Sequence, residues 1–391
     1  ASISLTANPL TGEVPLNVTF NLTAFDSAGI QSYNIDYGNG GSGGGMVIGN
    51  SISFILNYTY IGSGTFVANF SIIGNSNNLS TSLNIVVTNT TSSNGWIDVC
   101  TPQELYNVRN NLTAYYIQTC DINLTGLSWI PIANRSSGGG FANNFSGIYD
   151  GNGKKIIGLT MLDTSKIVTK DLALFDLVYG EIRNVTLVSV NVTNYYWTAA
   201  GLVSYLGSTG KVINSHVSGK VTSPRAGGLI HTANGLVKDS SSSATVSVGD
   251  LVSTNWNSLG AGGLVNTAGG TIINCSALGD VTVDRTNSSI RISIMGGLAS
   301  SALYANITNS SATGNVFGSD QVGGLVGTSS YGTIRNSWAS GNVTGLYVAI
   351  PFSAFNGTDF GGLIGFALAE QIHDSYALGN VTSFNCKGYA G

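Results

Sequence analysis

Val322-Gly323-Gly324-Leu325-Val326-Gly327, followed by Ile334-Arg335-Asn336-Ser337 and then Gly341-Asn342-Val343, is the stretch on which the fold turns. Its elements recur. The Leu of each Gly-Gly-Leu-like triplet falls at Leu202, Leu229, Leu264, Leu298, Leu325 and Leu363, with Leu174 as an earlier, irregular member. A Val in a Gly-x-Val-like triplet follows each, at Val192, Val221, Val246, Val281, Val316, Val343 and Val381. The Leu-to-Val offsets are 18, 19, 17, 17, 18, 18 and 18, whereas the gaps from Val to the next Leu are 10, 8, 18, 17, 9 and 20. Length is held inside the unit and varies at one place only. Stacked coils with insertions confined to one corner have that property.

Each unit also carries a polar pair: Asn214-Ser215, Asp239-Ser240, Asn274-Cys275, Asn309-Ser310, Asn336-Ser337 and Asp374-Ser375. Like side chains one coil apart stand about 4.8 Å from one another, close enough for a hydrogen-bonded ladder at a turn. In Asn342-Val343-Thr344 and Asn380-Val381-Thr382 the alternation predicts Val inward and its neighbours outward. The glycines before each Leu read as tight-turn residues. Together these features predict an all-β chain whose larger part, 98–391, is a parallel, right-handed β-helix, with a cap region at 98–170 and coils at 171–391.

The first 89 residues read differently. Strand signals at Ile3–Thr6, Leu16–Leu22, Ser51–Tyr60, Thr65–Ile73 and Leu83–Val87 are separated by Gly, Asn and Ser, which predicts a β-sandwich over 1–89 and a linker over 90–97.

Two family resemblances add to this. Asn8-Pro9, Gly12, Val14–Phe20, Tyr33–Gly40, Tyr58–Tyr60 and Gly64–Phe66 resemble, in order, the motifs of the PKD domain, an extracellular Ig-like sandwich, with Ile35 where that family has Trp. The repeat resembles the GLUG motif, and Cys120–Leu124, Trp129–Ile132 and Phe145–Gly153 resemble what precedes such repeats. The first resemblance implies a spacer or interaction module. The second implies a secreted, surface or adhesive protein and no particular reaction.

Composition restricts the function. Charged residues are 9% of 391 and the net charge is −4, so the 15 Lys and Arg cannot neutralise a nucleic-acid backbone. With 42% apolar residues the chain is not a disordered one, and no run approaches 18 apolar residues. Ala1 opens directly into a strand pattern and reads as a processed N-terminus. Asn-x-Ser/Thr sequons fall at Asn17, Asn21, Asn57, Asn69, Asn78, Asn89, Asn111, Asn123, Asn134, Asn144, Asn184, Asn191, Asn274, Asn287, Asn306, Asn309, Asn342, Asn356 and Asn380. That is about twice the random expectation and predicts a secreted, N-glycosylated surface protein. Asn274 and Asn309 are also ladder members and are expected to be modified less often. Four cysteines suit an oxidising compartment: Cys100 and Cys120 form the natural pair, Cys275 sits in the small-residue column as a buried thiol, and Cys386 is free or bonds another chain.

A β-helix can house polysaccharide lyases and hydrolases, which need clustered carboxylates on one face. The nearest candidates, Asp280 and Asp284 beside Arg285, read as a solvated corner, and Asp150-Gly151-Asn152-Gly153 as a turn. His216, His231 and His373 make no metal spacing. The expectation is therefore of no enzyme, no metal and no cofactor. The role expected is an extracellular filament or coat subunit, joined head to tail to copies of itself, with a composition resembling filament proteins of heat- and acid-loving archaea. The alternative is a monomeric adhesin that binds polysaccharide through the corner insertions and their aromatics Trp256, Tyr347, Phe352, Phe355 and Phe360. Lys387–Gly391 reads as the start of a further unit, to be continued by more chain or covered by another molecule.

Overall fold

The computed structural model describes residues 1–88, 95–134, 143–165, 171–249, 259–283, 293–347 and 359–385. It divides into two compact units, Ala1–Asp98 with Gln103–Asn107, and Val99–Pro102 with Val108–Gly391.

The first unit is an antiparallel sandwich. One sheet pairs β1 (Ser2–Asn8), β3 (Leu16–Phe25) and β6 (Ser51–Tyr60). The other runs β2 (Thr11–Glu13), β8 (Asn78–Thr88), β7 (Gly64–Gly74), β4 (Ile30–Asp36) and β5 (Ser42–Met46). β3 shows why: Leu16, Val18, Phe20, Leu22 and Ala24 point into the core while the residues between them face out. Ile35 is fully buried in the same core.

The second unit is a parallel β-helix. One coil shows the plan: Gln321–Gly323, Val326–Ser330, Thr333–Arg335, Trp338–Ala339 and Val343–Tyr347 follow one another, each hydrogen-bonded in parallel to its equivalents on the coils before and after. The sheet through Thr333–Arg335 reaches back through Glu181–Arg183 and Ile148–Asp150 to Tyr115–Gln118, so the region expected as a cap also supplies rungs. Its disulfide joins Cys100 to Cys120, with Cα atoms 4.6 Å apart.

The repeat's Leu residues form the axis of the core. Leu202, Leu229, Leu264, Leu298 and Leu325 are fully buried, and each amide donates to the carbonyl of the next Leu along the stack at 2.8–3.0 Å. Each such burial contributes about 1.5–3 kcal/mol. Val192, Val221, Val246, Val281 and Val343 are fully buried beside them.

The glycine columns differ from the expectation. The second Gly of each pair (Gly228, Gly263, Gly297 and Gly324) does not take a left-handed turn conformation. It is required because a Cβ there would stand 2.0–2.1 Å from a backbone carbonyl oxygen of the next coil. The first Gly (Gly227, Gly262, Gly296, Gly323 and Gly361) sits at a tight corner, where a Cβ would meet a carbonyl three residues ahead at 1.8–1.9 Å. Steric closeness, rather than backbone freedom, selects glycine in both columns.

Candidate functional site

The left-handed turn falls at the polar pair. Asn184, Asn214, Asp239, Asn274, Asn309, Asn336 and Asp374 all have φ between 46° and 54°, a conformation that Asn and Asp tolerate better than other side chains. Asn184 belongs to this column although the repeat count did not place it there.

The column is a directional ladder. Asn184 Nδ2 donates to Asp150 Oδ1 at 2.9 Å, and Asn214 Nδ2 donates to Asn184 Oδ1 at 2.8 Å. A second run begins at Asp239: Asn274 Nδ2 donates to its Oδ1 at 2.9 Å, and Asn309 Nδ2 to Asn274 Oδ1 at 3.3 Å. Beside it runs a hydroxyl ladder. Ser240, Ser310, Ser337 and Ser375 each accept the amide N–H of the equivalent residue on the preceding coil at 3.1–3.2 Å, and each donates to a carbonyl two residues upstream. Cys275 occupies the same column, 2% exposed, its thiol on the Ile273 carbonyl at 3.2 Å and pushed up to about 12 by burial. A thiol so held is a poor nucleophile.

A third ladder runs along the next corner. Asn315 N–H donates to Asp280 Oδ1 at 2.8 Å, Asn342 N–H to Asn315 Oδ1 at 3.0 Å, and Asn380 N–H to Asn342 Oδ1 at 3.0 Å. Asp280 is thus a ladder anchor. Its expected neighbours Asp284 and Arg285 lie outside the described residues, as do Cys386, Trp256, Phe352, Phe355 and the sequons at Asn89, Asn287 and Asn356. Of the corner aromatics, Phe360 packs its ring where a Cβ on Gly345 would lie.

Other groups follow the sequence reading less closely. Asp150 closes the expected turn by accepting Asn152 N–H at 2.8 Å, and also pairs with Arg183 at 2.8 Å. His216 bonds Ser241 Oγ at 2.8 Å, and burial lowers its pKa. Among the described residues no group of three or more His, Cys, Asp and Glu is placed to hold a metal.

Two features were missed. Asp320 and Asp359 meet on adjacent coils, where Asp359 N–H donates to the Asp320 carbonyl at 2.8 Å. Burial, reinforced by the Asp359 charge, raises the Asp320 carboxyl to about 6. Counting back from Leu325 and Leu363 sets Asp359 level with Gln321, the neighbour of Asp320. The second is a cleft of about 640 Å³ lined by Leu127, Trp129, Ile130, Leu162, Asp163 and Asp171, among others. Asp163 is 8% exposed; its Oδ1 accepts Ser165 N–H at 2.7 Å, and its Oδ2 has no hydrogen-bond partner among the described residues. No sequence periodicity marks this cleft.

The GLUG motif model matches residues 293–316 and 318–344, so the chain carries GLUG repeats in two successive coils of a parallel β-helix. No curated protein matches the chain. A solved structure described as a "putative immunoglobulin A1 protease from Bacteroides ovatus" is similar over 72% of this chain and 86% of that one, with a TM-score of 0.53 and 23% identity. A second, described as IgA1 protease, is similar over 86% of this chain and 29% of its own, with a TM-score of 0.43 and 14% identity. The first likeness establishes the fold. The expectation of a chain without enzymatic activity does not stand, since a solved structure that shares this fold carries a protease name. Among the described residues no helix is long and apolar enough to cross a membrane.

Proposed function

We propose that this protein works outside the cell, as an N-glycosylated β-helix rod carrying a PKD-like sandwich, and that it stacks head to tail into a filament or surface coat. The observation that carries the reading is the stack itself: coil after coil pairs in parallel through the same columns of Leu, Gly and Asn, so the edge of each coil is a template for the next. The PKD likeness is supported by Tyr37 stacked on Tyr58 at 3.9 Å, and by Tyr60 donating to the Tyr37 carbonyl at 2.9 Å, both within the segments that carry the resemblance.

Light scattering of the native protein against concentration tests the stacking. Scattering that grows with concentration is the expected result, and a monomer at every concentration would overturn the reading.

The Asp320–Asp359 pair favours a second reading, a hydrolase. A carboxyl raised to about 6 beside a second carboxyl suits general acid–base work. Hydrolysis of a polysaccharide or peptide that is lost in Asp320→Asn, with the melting curve retained, would support it; activity unchanged in that variant would exclude the pair.

A further inference from the structure

Exposure does not sort the sequons. Asn274, Asn309, Asn342 and Asn380 are all exposed, on neighbouring coils of one rod. What differs is which atom of the amide the ladders use.

In the turn ladder it is the nitrogen. A carboxylate can only accept, so Asp150 and Asp239 force the amide of the following coil to turn its Nδ2 toward them. Asn274 Oδ1 then faces onward, and Asn309 must offer its own Nδ2. Two carboxylates therefore fix the orientation of Asn184, Asn274 and Asn309. In the corner ladder it is the oxygen. A backbone N–H can only donate, so the Asn380 amide fixes Asn342 with its Oδ1 bound and leaves Nδ2 without a partner among the described residues. Two sequons of the sandwich obey the same rule. Asn17 and Asn57 lie on paired strands, and the Oδ1 of each accepts the hydroxyl of the other sequon's threonine, Thr59 and Thr19. Asn111 likewise accepts Thr113 Oγ1 at 2.9 Å, and Asn123 accepts Thr125 N–H at 2.9 Å.

We propose that this polarity selects the glycan acceptors: the ladder closes Asn184, Asn274 and Asn309, while Asn17, Asn57, Asn111, Asn123 and Asn342 stay open. The proposal rests on the N-glycosylated reading above. In the transfer, Asn Nδ2 forms a bond to C1 of the sugar of a lipid-linked phosphosugar. The C1–O bond breaks, its electron pair leaves with the phosphate, and one Nδ2 proton passes to a base. An Nδ2 committed to a ladder bond, charge-assisted at Asn184 and Asn274, with neighbours about 4.8 Å away along the stack, must leave that ladder first. Asn184 is the assignment that the repeat alone did not give.

Site occupancy by intact-glycopeptide mass spectrometry of the native protein tests this. The expected result is occupancy at Asn184 and Asn274 at least about tenfold below that at Asn342 and Asn17, the ratio that one lost hydrogen bond to a charged group allows, with a smaller reduction at Asn309, whose bond goes to an amide oxygen. Asp239→Gly removes the anchor while suiting the left-handed backbone (φ 50°), and should raise Asn274 and Asn309 together without changing Asn184. Equal occupancy of the two groups in the wild type overturns the selection rule and leaves glycosylation standing. An absence of glycan at every sequon overturns the N-glycosylated reading itself.

Discussion

Replacing Ser310 with alanine removes one oxygen from the hydroxyl ladder, and the two hydrogen bonds of that oxygen set the cost. Ser310 is 1% exposed; its Oγ accepts the Cys275 N–H at 3.2 Å and donates to the Thr308 carbonyl at 2.9 Å. That carbonyl keeps a second donor, the Asn274 N–H at 3.1 Å, so only the Cys275 amide is orphaned. A buried unsatisfied donor costs about 1–3 kcal/mol. At about 2 kcal/mol the melting temperature should fall by roughly 4–8 °C. Hydrogen exchange at the Cys275 amide should quicken by roughly 30-fold. The sequon at Asn309 survives the change, which keeps modification out of the comparison. Thr313→Ala, at an exposed neighbour, is the control. Should Ser310→Ala match that control in both melting and exchange, the hydroxyl ladder does not hold the coils and the reasoning fails.

Gly297→Ala should destabilise by more than about 4 kcal/mol, since its Cβ would lie 2.0 Å from the Gly324 carbonyl; a melting curve within a few degrees of the wild type would contradict the close-approach reading. Asp320, with its folded pKa raised to about 6 from an ordinary 3.8, favours the fold fully below about pH 4, and that contribution is lost as pH rises through 6. Asp320→Asn should flatten this decline in pH-dependent melting, and an unchanged profile would show that the group is not so placed. Asp26 has the opposite sign: held at about 2 by hydrogen bonds from Ser76 and the Ala28 amide, it supports the sandwich above about pH 4 and loses that contribution as pH falls toward 2. Cys275→Ser should restore the hydroxyl column with a melting temperature equal to or above the wild type, while the wild-type thiol resists alkylation until unfolding; rapid labelling of the folded protein would contradict its burial.

The coil register was legible because a β-helix repeats its constraints at a fixed interval. Leu229 and Leu325 face the same axis, so spacing alone discloses them. Glycine was legible as a column but not in its cause: Gly297 and a turn glycine look alike in sequence, and only the distance to Gly324 separates them. The ladders were half legible. Asn274 and Asn309 could be stacked by counting, yet the direction of their amides depends on Asp239 standing one coil before them, and Asn184 joined only through Asp150. Asp320 and Asp359 stand one residue out of register, so a count from Leu325 and Leu363 does not pair them. The cleft beside Trp129 arises from irregular segments, where periodicity carries no information.

The measurement that bears most directly on the central reading is negative-stain electron microscopy of the native, glycosylated protein from its own cells. Stacking predicts filaments or sheets with a constant axial repeat. Dispersed rods at every concentration would contradict it, and would shift attention to surface binding or to catalysis at Asp320.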